Sequence, residues 1–162
     1  MDPDAPGTVI SNKTVDKEIK AIAAKDGITA VKVKSGRMLL AYGFLRRLFE
    51  VFEKFKTPID MITTSEVAVS LTIDDNSNLD SIVNELESFG YVELDHDQTI
   101  ICIVGQFVAE KKGIIMKVFD ALEDVSIRMV SYGGSKNNIS VLISTEDKEK
   151  ALKLLNKHLF GL

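Results

Sequence analysis

The chain has 162 residues, 45% of them hydrophobic and 27% charged, which suits one ordinary domain or two small ones with a buried core. A formal net charge of −4 argues against a nucleic-acid partner, because phosphate binding asks for clustered Lys and Arg. No apolar run reaches the roughly 20 residues that span a bilayer, and MDPDAPGTVI carries acids where a signal peptide has positive charge, so a cytoplasmic protein with no membrane partner is expected.

In chain order, ITAVKVK at 28–34 alternates apolar and polar residues and predicts a strand. A loop over 35–42 leads to Gly43, which opens the helix GFLRRLFEVFEKF, with Phe44, Leu45, Leu48, Phe49, Phe52 and Phe55 at helical spacing. Lys56-Thr57-Pro58 stops it. IDMITT and, after Ser65-Glu66, VAVSLTI predict two further strands. A polar turn at 74–78 precedes a helix over 79–89, with Gly90 expected as its C-terminal cap, and 91–94 is a fourth strand. LDHDQ, with His96, reads as a turn between strands.

The order then restarts. Residues 99–104 predict a strand, and Cys102 inside TIICIVG is expected to be a buried structural thiol. GIIMKVFDALED predicts a helix opened by Gly113, SIRMVSYG and ISVLIST predict strands, and DKEKALKLLNKHLF predicts a helix with His158 near its C-terminal end. GFLRRLFEVFEKF aligns with GIIMKVFDALEDV, and PIDMITTSEVAVSLTI with SIRMVSYGGSKNNISVLI. This is an internal repeat of roughly 65–70 residues, longer than a solenoid unit and right for a duplicated domain.

The second copy runs out before a fourth strand, which would leave an open sheet edge. EIKAIAAK, over 18–25, is expected to fill that place, with a short helix as the competing reading because Ala and Lys favour helix. The fold expected is α+β: two ferredoxin-like β-α-β-β-α-β units with helices on one face of an antiparallel sheet, the first inserted within the second. The units are 28–97, and 18–27 plus 98–162.

No catalytic set is visible. The two histidines, His96 and His158, have no metal-ligand spacing, and there is no phosphate loop, nucleophile elbow or dinucleotide fingerprint. No catalytic residue, metal or cofactor is expected in this chain. The candidate binding segment runs from Ser35 to Leu45. Amides of Gly43, Phe44 and Leu45 lie at the positive end of a helix, where a carboxylate is welcome and Gly43 permits close approach. Asp60 is expected near the start of this helix, and Thr64, Ser65 and Glu66 add hydroxyls and a carboxylate. A ligand with one carboxylate and one or two ammonium groups finds both complements here.

MLLAYGFL together with PIDMITTSEVAVSLTI resembles the regulatory region of aspartate kinases, particularly the lysine-sensitive, monofunctional kind. VGQFVAEKKGIIMKVF followed by IRMVSYGGSKNNISVLI resembles the second of their paired ACT domains, and DPDAPGTVI the segment that closes the kinase domain. The resemblance implies that residues 1–17 are the end of a kinase domain and a linker. It also implies that the parent protein is an aspartate kinase, with ATP and Mg needed only in its separate kinase domain. The implied contacts to a free L-lysine effector are Met38, Ala41, Gly43, Phe44 and Leu45, with Asp60, Thr64, Ser65 and Glu66. Leu40-Ala41-Tyr42 departs from the commoner polar run of the lysine-sensitive kinds. The resemblance further implies a homodimer through the ACT domains and feedback inhibition. The competing readings are a unit that senses threonine, a ligand-free dimerisation module and, least favoured by the missing nucleophile, a small enzyme.

Overall fold

Two long strands run through the centre of the molecule, and the other elements are arranged on them. The computed structural model describes residues 19–35, 42–106 and 109–161. Strand β1 (Ile19–Lys34) and strand β4 (Tyr91–Gly105) pair antiparallel along nearly their whole lengths. Strands β2 (Ile62–Thr64) and β3 (Ala68–Ile73) extend the sheet beyond residues 29–34 of β1. Strands β5 (Ile127–Ser131) and β6 (Asn138–Ser144) extend it beyond residues 98–104 of β4. The result is one six-stranded antiparallel sheet of order β2-β3-β1-β4-β6-β5.

Each half of the sheet carries two helices. Helices α1 (Phe44–Lys54) and α2 (Leu79–Leu86) cover the first half, burying Leu48, Phe52, Ile82 and Leu86 against Val31, Val33, Val69 and Leu71. Helices α3 (Ile114–Ala121) and α4 (Lys148–Phe160) cover the second, burying Ile114, Val118 and Leu155 against Ile101, Ile103, Ile139 and Val141. Both halves therefore show the expected ferredoxin-like order. Residues 19–25 are strand, with Ala23 opposite Cys102 and Lys25 opposite Ile100. The helix propensity of the Ala and Lys there yields to the unpaired side of β4, which needs a ladder partner.

The structure corrects the reading of LDHDQ as a turn between strands. Residues 91–105 form one strand, and 19–34 another, each passing from one half of the sheet to the other. Both contain an irregularity where they cross the middle. The register shifts between Lys25 and Ile28, and again between Ile28 and Ala30, while Asp97 has φ 53° and Gly27 φ 72°. A bulge adds one residue and reverses which parity faces a given side. That reversal lets Leu94 face the α1–α2 core while Ile101 and Ile103 face the α3–α4 core. Thr99 Oγ1 donates to Asp26 Oδ1 at 2.9 Å and Lys148 pairs with Asp26, fixing the bulge. Gln98 donates Nε2 to His96 O at 2.7 Å.

The helix-free face of the sheet is not left to water. Ile28, Ala30, Met61, Ile100, Met129 and Leu142 form a third buried cluster there. The edge strands β2 and β5 approach one another across this face. Met61 and Met129 occupy equivalent positions of the internal repeat, so each half sends one methionine into the shared seam.

Smaller departures have local causes. Strand β2 is short because the Asp60 amide donates to Thr72 O at 2.9 Å while the Thr72 amide donates to Met61 O at 3.0 Å, setting two residues against one. Gly90 is not a left-handed cap. A Cβ there would lie 2.7 Å from Val33 Cγ1 and 3.2 Å from Lys34 O, so close approach of α2's exit to β1 requires glycine. Cys102 is half-buried rather than buried, with Asn138 Nδ2 at 3.7 Å from its sulfur. His158 lies in the last turn of α4, with Nδ1 donating to Leu154 O at 2.9 Å.

Candidate functional site

Gly43 caps α1 in the left-handed region, φ 84° and ψ 7°, and no side chain caps the helix. Its repeat-equivalent Gly113 caps α3 with φ 83° and ψ −9°, so both helices start by the same backbone device. The amides of Phe44 and Leu45 have no partner within α1 and sit at its positive end. The Phe44 ring is buried, meeting Phe89 edge-to-face at 5.7 Å, so Phe44 offers a ligand its amide and not its ring. Leu45 is 40% exposed and free to cover one. Met38 and Ala41 lie outside the described residues, as does the whole 1–17 segment.

Thr64 ends β2 opposite Val69. Ser65 closes a tight turn: its amide donates to Ala68 O at 2.8 Å and its Oγ accepts from the Ala68 amide at 3.2 Å. Glu66 is exposed. The Ser35 amide donates to Val67 O at 3.1 Å, which fixes this turn beside the end of β1, from which the chain leads to α1. A cavity of about 320 Å³ opens here, bordered by Lys32, Lys34, Ser35, Ser65, Val67 and Ala68. Lys34 Nζ donates to Glu93 Oε1 at 2.5 Å, and this pairing holds the Glu93 carboxyl below the usual carboxylate range. Hydroxyls, two lysines and a helix N-terminus thus share one end of the first half.

Asp60 is at the other end. It precedes β2 and stands four residues, about 13 Å of extended chain, from Thr64. It is therefore not beside the start of α1, contrary to expectation, because α1 runs back along β1 before the chain turns into β2. Instead Asp60 Oδ1 accepts from Lys25 Nζ at 2.8 Å, and Asp74 Oδ2 lies 2.7 Å from the same ammonium. The hydrogen bond to Asp60, then that to Asp74, raises the Lys25 pKa, and Lys25 holds the Asp74 carboxyl below its ordinary value. Among the described residues no group of three or more His, Cys, Asp or Glu is placed to hold a metal ion, and no helix is long and apolar enough to cross a membrane.

Residues 101–159 match the family model of an ACT domain. Over 89% of its length the chain is 52% identical to a solved structure assigned as a C-terminal regulatory domain of aspartate kinase from Porphyromonas gingivalis W83, covering 99% of that chain with a TM-score of 0.80. The chain belongs to the family of aspartate kinase regulatory domains. It is 35% identical to aspartokinase 3, chloroplastic, of Arabidopsis thaliana, over 98% of its own length and 30% of that protein's. It is 33% identical to E. coli aspartokinase III in the crystal structure with lysine and aspartate, with a TM-score of 0.84, covering 98% of this chain and 37% of that one. The chain thus spans about a third of the length of the curated relatives it matches.

Within this regulatory domain, sequence reading missed Lys25, Asp74, Lys32 and Lys34. Nothing local marks Lys25, whose partner Asp60 is 35 residues away. The alternation of β1 would have put Lys32 and Lys34 on one face together, but not beside Ser65. The repeat alignment holds one further signal: Asp60 aligns with Arg128, and Arg128 Nη2 lies 2.6 Å from Asp95 Oδ2. Each half therefore fastens the start of its edge strand to a strand segment belonging to the other half, with the charges reversed.

Proposed function

We propose that this chain is the feedback-sensing part of an aspartate kinase and that its first ACT unit, 28–97, binds free L-lysine. The second unit is 18–27 plus 98–162, and the kinase domain, with its ATP and Mg, belongs to the rest of the protein. One observation carries the reading: Asp60 already holds a primary ammonium, that of Lys25, at 2.8 Å. An aspartokinase 33% identical to this chain was crystallised with lysine. The far end of β2 supplies what the other pole of an amino acid needs: hydroxyls of Thr64 and Ser65 and the amides at the start of α1.

A homodimer would join the two poles. Among the described residues strand β2 has a ladder partner on one side only, and Leu45, Phe49, Ile62 and Val67 of this half are exposed. Such an edge favours pairing with another chain. Antiparallel pairing of β2 with β2 of a second copy would set Asp60 of one copy near Thr64, Ser65 and Glu66 of the other, on the side of Gly43, Phe44 and Leu45; Met38 and Ala41 complete the proposed contact set. An effector inhibits only by as much as it favours the inactive arrangement, typically about 1–3 kcal/mol of coupling. A site shared between chains supplies that preference through subunit position.

Isothermal titration calorimetry of the chain with L-lysine, L-threonine, L-methionine and S-adenosylmethionine tests the reading. Saturable binding of lysine, lost in Asp60→Asn while the dimer persists in sedimentation, is expected. Saturation by threonine alone would transfer the site to that amino acid, and silence with all four would leave a dimerisation module.

A further inference from the structure

Lys25 lies in the part of β1 that pairs with residues 100–105, whereas Asp60 leads into β2 of the first half. Their ion pair therefore ties the edge of one half to the body of the other. A single ammonium is shared between two carboxylates, Asp60 at 2.8 Å and Asp74 at 2.7 Å, so the three side chains are one positive charge short of balance. All three are partly open to water, Asp60 the least at 28%, so a dissolved cation can reach them. Beside them a cavity of about 270 Å³, walled by Ala23, Met61, Ile100 and Cys102 among others, leaves the Lys25 stem room to move.

We infer that Lys25 is a tethered occupant of the ammonium subsite at Asp60, which the effector's own ammonium must take over. The inference rests on the reading of Asp60 as an effector contact. The exchange replaces one primary ammonium by another on the same carboxylate, so it selects a ligand with a charged ammonium over one with only a hydroxyl in that place. Lys25 is not stranded by it, because Asp74 retains the displaced ammonium. Two carboxylates then hold two cations, and the cluster is balanced. Binding also unfastens one of the three ion pairs that join the halves among the described residues, leaving Lys25–Asp74 and Arg128–Asp95 in place. Effector sensitivity is thereby set in part by a residue that does not touch the effector.

Calorimetry of the full 162-residue chain with L-lysine decides the matter, using Lys25→Met, Asp74→Asn, Asp60→Asn and Arg128→Met beside the unaltered protein. Removing the competitor in Lys25→Met should tighten binding about 1.5- to 5-fold, the factor that an exposed ion pair can impose. Asp74→Asn should weaken it by a similar factor, since Lys25 then has Asp60 as its sole carboxylate of the pair, and this weakening should disappear in the Lys25→Met background. Arg128→Met, which opens the mirror-image pair without touching Asp60, should leave the affinity unchanged. Unchanged affinity in Lys25→Met, with binding still abolished by Asp60→Asn, overturns the competition and leaves the effector reading standing. Equal tightening in Arg128→Met assigns the effect to loosening of the halves and also overturns it. No saturable heat in the unaltered chain overturns both.

Discussion

Leu142 is the sharpest probe of how the two halves hold together. Its side chain is fully buried in the helix-free seam, beside Met61, Met129, Ile100 and Ile28. Leu→Ala in a core costs about 2–5 kcal/mol, the spread reflecting how far neighbours can collapse into the space. Two of the neighbours are methionines, whose flexible chains refill part of a cavity, so about 3 kcal/mol is expected. At roughly 2–4 °C per kcal/mol for a chain of this size, the midpoint should fall by about 6–12 °C. Urea titration followed by circular dichroism gives the free energy, with Met116→Ala, at an exposed residue of α3, as a control that should stay within about 0.5 kcal/mol. Amide exchange at Val33, in the first half, and Val141, in the second, tells whether the halves share the loss. A loss below about 1 kcal/mol, or one confined to Val141, would refute the seam as the element that unites them.

Gly90→Ala should cost about 1–3 kcal/mol in the same titration, because its Cβ would meet Val33 Cγ1 at 2.7 Å. A clearly smaller cost of Gly90→Ala in a Val33→Ala background than in the unaltered chain would identify the clash as its source. Gly113→Ala has open space for its methyl but a φ of 83°, so it should cost about 1–2 kcal/mol through backbone strain alone, with no rescue by trimming neighbours. Acid should destabilise the fold through carboxylates held below their ordinary values: Asp26 by Lys148 and Thr99, Asp74 by Lys25, and Glu93 by Lys34. Their folded pKa values lie below the unfolded ones, so the stabilisation is complete above the unfolded values near 4 and is lost as pH falls through the folded ones. Urea midpoints between pH 6 and pH 3 should drop below about pH 4, and less steeply in Asp26→Asn; a flat profile would refute the assignment.

Periodicity was enough to place the four described α-helices and most strands, because core-facing residues such as Leu48 and Phe52, or Val31 and Val33, repeat at intervals set by the backbone alone. The duplication was legible for the same reason: Gly43 and Gly113 precede matching apolar patterns and adopt matching left-handed conformations. The residues of the candidate site were legible as residue types, but their grouping was not. Thr64 and Ser65 lie with the start of α1, while Asp60 lies with Lys25 and Asp74, since a strand carries its two ends to different neighbours.

What the tertiary structure alone decided is where long-range contact competes with a local signal. LDHDQ has the composition of a turn, yet β1 and β4 pair on both sides of it, so the chain passes through as a bulge and not a reversal. Ala- and Lys-rich residues 19–25 favour a helix locally and become strand because β4 lacks a partner there. Gly90 is glycine for Val33, 57 positions earlier by number, and not for the helix it follows. Lys25 with Asp60 and Arg128 with Asp95 are ordinary surface charges in sequence and become opposed clasps only when the sheet folds its two edges together. Sequence by itself determined which residues must be buried and at what interval; which buried face meets which, and which charges then stand within 3 Å, follows from the closure of the sheet and is written in no local pattern.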